Sequence, residues 1–502
     1  MGFTGFGGFA TTDYYVLTDD GRLVDGATGC GNQTDLSSPI TQRLVVESLA
    51  YWCDEMGVDG FRFDLAPVLG RDPRAQARED WAGQARFYSQ HPLLLAIRDL
   101  ARARDIEVMA EAWDLWGYEV GNFPDGWAEW NGRFRDAVRR FTKGDGNTGA
   151  FVDMMNGDYR DFADQGGPQR SINFVTAHDG FCMLDLVAYD GKNNGDPWPF
   201  GPSDGGSDSN DSWGSGGDPA LIRQRLRNLW VLLFLARGVP MVCSGDEFGR
   251  TQNGNNNPYN LNTIGMWNNW AAAGTPAPTA VGVDPEHPQV RYRDVFGRAG
   301  SPDGINPQLV FAAFLTKLRR DHPGLRQRTY GDPTLGGSDV SYVFLTPGEG
   351  RSPAEGDRAL RIWIDGSGVG AADLLVLVNM ADHPVTFAVP HADDSAWRRI
   401  VDTGAIFESG FNCWALEAGD VIVDSYGAAP WSVVVLASGD PAASAPGSTG
   451  PGSTGPGSTG PGSSGPAPSG PVPPGPPATD IVTQVTDILI DSVSNWFRRR
   501  KG

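Results

Sequence analysis

The run Gly57-Val58-Asp59-Gly60-Phe61-Arg62-Phe63-Asp64 is an apolar strand pattern that ends in an arginine and a carboxylate two residues apart. Two further runs share this design: Val108-Met109-Ala110-Glu111, and Ile172-Asn173-Phe174-Val175-Thr176-Ala177-His178-Asp179. Helical spacing separates them. Leu44, Leu49, Trp52, Cys53 and Met56 mark a packing helix over 41–56, and 90–104, 133–141, 221–236 and 308–320 also carry helical patterns. Strands alternating with helices of this length make a parallel sheet, and the arrangement predicts acidic groups at the C-terminal tips of successive buried strands. That end of a parallel barrel is where such folds keep their chemistry.

Alternate residues of a strand share a face, so Arg62 and Asp64 project together. A guanidinium beside a carboxylate favours the charged form, which suits Asp64 as a nucleophile. Glu111 has no basic residue close to it in sequence and stands among Met109, Ala112 and Trp113. Desolvation there would keep it protonated as a general acid. One carboxylate at a strand end is commonly a loop cap or a surface charge. Three such ends, one with Arg62 and one with His178, are much harder to obtain by chance. Two carboxyl groups in unlike surroundings are what glycoside hydrolysis requires.

This residue series resembles the α-amylase superfamily, whose Arg-x-Asp, Glu and His-Asp motifs sit on the fourth, fifth and seventh strands of a (β/α)8 TIM barrel. The resemblance implies that Asp64 is the nucleophile, Glu111 the acid/base and Asp179 a sugar-binding carboxylate, with Arg62 and His178 as substrate-binding support and retention of configuration. Further segments are similar to the isoamylase and glycogen-debranching branch: Thr28-Gly29-Cys30-Gly31-Asn32, Gly121-Asn122-Phe123-Pro124, Trp127-Ala128-Glu129-Trp130-Asn131 and Gly201-Pro202-Ser203-Asp204-Gly205-Gly206. Most specific is Gly245-Asp246-Glu247-Phe248-Gly249-Arg250-Thr251-Gln252, followed by Gly254-Asn255-Asn256-Asn257. The likeness spans about residues 10 to 437 and implies cleavage of α-1,6 branch points in glycogen or amylopectin. Two other functions use the same residues or fold: a non-catalytic glucan-binding or regulatory subunit, and an α-glucan transglycosylase.

One family motif, Asp-x-x-x-Asn-His, has no counterpart ahead of Asp64. The expected fold class is therefore α/β: an incomplete TIM barrel holding strands 4 to 8, followed by a C-terminal antiparallel β domain and a disordered tail. A sheet lacking three of the eight barrel strands leaves an open edge. The expectation is a truncated or mis-started reading frame, with a degenerate family member or complementation by a separate chain as alternatives.

The expected domains are a partial barrel at 1–325, a β-sandwich at 326–437, a linker at 438–478 and an amphipathic tail at 479–502. Gly-Ser-Thr-Gly-Pro repeats give the linker too little apolar surface to offset chain entropy. In the tail, Ile481, Val482, Val485, Ile488, Leu489, Val493, Trp496 and Phe497 share a helical face ahead of Arg498-Arg499-Arg500-Lys501. It is too short and polar to span a bilayer, so it reads as a docking element for a partner protein or a membrane surface.

A net charge of -21 argues against nucleic acid, whereas a neutral glucan makes no such demand. The 16 Trp suit sugar stacking, although most buried aromatics are simply core. Cys30, Cys53, Cys182, Cys243 and Cys413 lack paired spacing and read as buried free thiols, and six histidines make a zinc site unexpected. No cofactor is expected; calcium occurs in parts of the family, and no ligand residues can be assigned to it from the sequence. The opening residues lack a basic region and an apolar core, which implies no signal peptide and a cytoplasmic location.

Overall fold

Five short strands form a parallel sheet in the order in which the chain makes them: β1 Gly60–Phe63, β2 Glu107–Ala110, β3 Ala128–Asn131, β4 Ser171–Asn173 and β5 Val239–Pro240. The computed structural model describes residues 5–24, 26–72, 81–330, 341–348, 350–390 and 396–439. The linker beyond Gly439 and the amphipathic tail lie outside the described residues. The sheet is open, with β1 and β5 as its edges. β1 is half-buried along its length rather than buried as the apolar run suggested, because only β2 flanks it. β3 was not anticipated as a strand, since Trp127-Ala128-Glu129-Trp130-Asn131 lacks β-branched residues.

Helices cover the outer face. The Pro92–Arg104 helix starts with the His91 ring accepting the Leu93 amide at 3.3 Å. It buries Leu93, Leu94, Ile97 and Leu100 against Val108, Ala110, Phe61 and Phe63. Asn131 closes β3 and opens the Gly132–Thr142 helix by accepting the Phe134 amide at 3.0 Å, a side-chain cap on an otherwise unpaired donor. The Pro39–Asp54 helix departs from the packing pattern: Leu49 is buried, but Leu44, Trp52 and Met56 stay exposed. The inner face of the sheet carries a much smaller cluster of Ala128, Trp130, Ile172 and Phe174, with Met109 and Met241 at its margin.

The Pro219–Leu235 helix is buried on all sides from Ile222 to Leu235 and joins the two units. Its polar residues bind the β domain: Gln224 donates to the Pro430 and Trp431 carbonyls at 2.7 Å, and Asn228 to the Trp431 carbonyl at 2.7 Å. Arg223 and Arg227 meet Glu408 at 2.8 and 3.2 Å, all three side chains being buried.

The β domain begins at β6 Tyr342–Leu345 and continues through β7 Ala359–Ile364, β8 Leu374–Asn379, β9 Val385–Ala388, β10 Trp397–Asp402, β11 Val421–Ile422, β12 Ser425–Ala428 and β13 Ser432–Ser438. Six of these form one sheet in the order β11-β10-β13-β8-β7-β6, and β12 pairs with β9 as a separate ribbon. Strand alternation sends Leu375, Leu377, Val434 and Leu436 toward the ribbon residue Phe387. Val376, Val378, Val433 and Val435 face the helices and share their core. The expected sandwich is thus lopsided, a ribbon closing one face and the α/β unit the other.

Buried amides tie down the Gly- and Asp-rich loop at 191–218, beside the packing of Phe200 on Val283 and Tyr292. Asn256 donates to Asn210 at 2.9 Å and accepts from Asn194 at 3.1 Å, and Asn255 donates to the Phe200 carbonyl at 2.7 Å. All five cysteines are unpaired; Cys182 is buried but Cys30 is exposed, against the expectation of uniformly buried thiols.

Candidate active site

Parallel register fixes one row of side chains at the C-terminal end of the sheet. Phe63 pairs with Ala110, and Ala110 with Glu129, so the next residues in line are Asp64, Glu111 and Trp130. The Glu111 amide donates to the Phe63 carbonyl at 3.0 Å, which carries the row past the end of β2. Arg62 precedes Asp64 on the same face, and its guanidinium lies 4.3 Å from the centre of the Trp130 ring. From there it forks: Nη1 bonds Asp64 Oδ1 at 2.5 Å and Nη2 stands 3.0 Å from Glu111 Oε2.

Glu111 therefore has a basic partner that its local sequence did not reveal. Arg62 comes from another strand, and only the register brings it close. The expectation of an unpaired Glu111 is corrected, while its reason for holding a proton survives. Its side chain is 9% exposed against 72% for Asp64, so the two carboxyls occupy unlike surroundings. Burial is the largest influence and pushes the Glu111 carboxyl above its ordinary value. The Leu65 amide, which donates to Oε2 at 2.8 Å, and the Arg62 charge oppose this, and the facing Asp64 adds to it. Leu65 adopts φ 41°, ψ 47°, a left-handed conformation uncommon for leucine, and this turn accompanies the approach of its amide to Glu111.

His178 and Asp179 stand differently from expectation. β4 ends at Asn173, so both lie on a loop beyond the strand tip, and both are exposed. The His178 ring meets the edge of Trp130 at 6.0 Å, and its Nε2 is 3.5 Å from Asp179 Oδ2. Arg62, Asp64 and Glu111 are thus in direct contact. Among the described residues, His178 joins them through Trp130 and Asp179 through His178. Sequence reasoning quoted Trp130 without assigning it a role. Its signal was the alternation of Ala128 and Trp130 in phase with Met109 and Glu111, which becomes informative once β3 is known to pair with β2. Among the described residues no group of three or more His, Cys, Asp or Glu is arranged to hold a metal ion. No helix among them is long and apolar enough to cross a membrane.

No family model matches the chain. Individual relatives do. It is 36% identical over 429 residues to an isoamylase of Flavobacterium sp, a match covering 83% of this chain and 52% of the relative. It is 34% identical over 428 residues to a glycogen operon protein GlgX homolog of Mycobacterium bovis, covering 77% and 52%. A glycogen debranching enzyme of Yersinia pseudotuberculosis is 34% identical over 403 residues, again covering 77% and 52%. The chain spans about half the length of the curated relatives it matches. Among solved structures, the pullulanase from Bacillus acidopullulyticus aligns with a TM-score of 0.54 at 19% identity, covering 84% of this chain and 43% of that one. The GBS pullulanase SAP in complex with maltotetraose aligns with 0.56 at 15% identity, covering 85% and 52%. These structures share the fold: an α/β unit with a parallel sheet, followed by an antiparallel β domain.

Proposed function

The chain belongs to the isoamylase and glycogen-debranching branch of the α-amylase superfamily, and we propose that the row centred on Arg62 is the working site of a retaining glycosidase that cleaves α-1,6 branch points of α-glucans. In this reading β1 to β5 correspond to strands four to eight of the family's barrel. The observation that carries it is the forked Arg62, which holds one exposed and one desolvated carboxyl within reach of a single guanidinium.

Retaining hydrolysis divides into two displacements. Asp64 attacks the anomeric carbon while Glu111 gives its proton to the leaving glycosidic oxygen, so the glycosidic bond breaks as the glycosyl-aspartate bond forms. Glu111 then takes a proton from water, whose oxygen attacks the same carbon and releases Asp64. Burial readies Glu111 as the acid. Arg62 and the Leu65 amide stabilise the carboxylate that proton donation leaves behind. Asp179 and His178 stand on an exposed loop suited to gripping sugar hydroxyls. The exposure of Asp64 and Asp179 admits water, which favours hydrolysis over transglycosylation.

The open edge at β1 and the thin inner-face cluster favour a second reading, a glucan-binding subunit without turnover. Incubation of the purified chain with amylopectin or glycogen separates the two. Release of linear maltooligosaccharides that vanishes in Glu111→Gln supports the hydrolase. No release with glucan binding retained supports the subunit.

A further inference from the structure

The segment Gly245-Asp246-Glu247-Phe248-Gly249-Arg250 takes no part in the chemistry above, yet its aspartate is 1% exposed and fully engaged. Asp246 Oδ2 accepts the Thr176 hydroxyl at 2.7 Å, and Oδ1 accepts the Met183 amide at 2.9 Å. One carboxylate therefore grips both ends of the loop at 176–183, whose exposed tip carries His178 and Asp179. Thr176 and Met183 are themselves buried. Gly180, at φ 93°, makes the turn beyond the tip, where an added Cβ would meet nothing within 4 Å, and Phe181 after it is buried in the core. A third tie lies beside the clamp, where the Cys182 thiol donates to the Arg250 carbonyl at 3.0 Å.

The clamp is itself anchored. Gly245, at φ 99°, brings the chain so close to Arg250 and Asn268 that an added Cβ would meet their side chains at 2.6 Å. The Asp246 amide donates to the Cys243 carbonyl at 3.1 Å, so the carboxylate is fixed to the end of the β5 segment.

We propose that Asp246 is a positioning residue: by holding both ends of the 176–183 loop on one carboxylate, it sets where His178 and Asp179 stand relative to Arg62 and Glu111. What Asp179 does rests on the hydrolase reading; the clamp does not. Burial pushes the Asp246 carboxyl up to about 6. An amide of the same shape keeps both arms, its oxygen accepting from the Met183 amide and its NH2 donating to the Thr176 hydroxyl.

The test uses the full chain with Asp246→Ala, Asp246→Asn and Thr176→Val, read by hydrogen exchange across 176–183, by the His178 ring resonances, and by kcat/KM on amylopectin. Asp246→Ala is expected to speed exchange of the loop at least about tenfold and to shift the His178 resonances. It should lower kcat/KM about 100-fold, the scale of a small misplacement of a binding group. Thr176→Val, which removes one arm, should do the same in weaker form, and Asp246→Asn should restore all three readouts. Unchanged exchange and resonances in Asp246→Ala overturn the proposal, as does an Asn variant as impaired as the Ala variant. If Asp246→Ala does not fold, Thr176→Val decides by the same measures. Absence of activity in the unmodified chain refutes the hydrolase reading alone, and exchange and resonances still decide the clamp.

Discussion

Glu129 makes a quantitative test of how the parallel sheet is built. It lies on β3 with no solvent exposure, and Oε2 accepts the Gly121 amide at 2.7 Å. Burial, against the opposing pull of backbone amides and Arg133, pushes its carboxyl from 4.5 up to about 8. The folded protein thus holds a proton on Glu129 over a range in which the unfolded chain has released it. Stability from this group is fully present below about 4.5 and is lost as the pH rises through about 8, because the folded state binds more protons across that window. A rise of about 3.5 units at ~1.4 kcal/mol per unit gives a loss of about 5 kcal/mol across the window. Glu129→Gln mimics the neutral acid and keeps an acceptor for the Gly121 amide, so it should not share the loss. Asp158, Asp185 and Asp246 are also raised by burial and slope the same way, so the quantity to measure is the difference between variant and parent. Urea unfolding midpoints taken from pH 5 to 8.5 should nearly coincide at pH 5 and diverge in favour of Glu129→Gln toward pH 8. Parallel curves, or a parent that gains on the variant as pH rises, would refute the reasoning.

Removing the fork tests the site directly. Arg62→Ala should lower kcat/KM by at least about 100-fold. It should also raise the basic limb of the pH–rate profile, because the cation 3.0 Å from Glu111 no longer favours its ionised form. The junction between the units is tested by Glu408→Ala, which leaves Arg223 and Arg227 buried side by side without their partner. A loss of about 3–5 kcal/mol in urea unfolding is expected, with Glu408→Gln losing less. Asp218→Ala removes the acceptor of the Ala220 amide at 2.9 Å at the start of the buried helix, and a loss of about 1 kcal/mol is expected in the same assay.

What was legible in the sequence follows the range of the forces involved. The 221–236 helix carries its own periodicity, and the structure places it within two residues of expectation. Asp64 and Glu111 were legible because each ends an apolar run. The partner of Glu111 was not, since Arg62 reaches it only through the register of two strands. β3 was illegible because its residues are held by neighbours on both sides rather than by strand propensity. The same limit hid the support of Asp179, whose loop looked like the end of a strand. Its fixed position comes from Asp246, brought to it from the far side of β5 by the fold alone. The carboxylates proposed for the chemistry therefore stood out locally, and the groups proposed to aim them did not. A charged side chain at a strand end is a local feature, whereas aiming it requires a contact between elements distant in the chain.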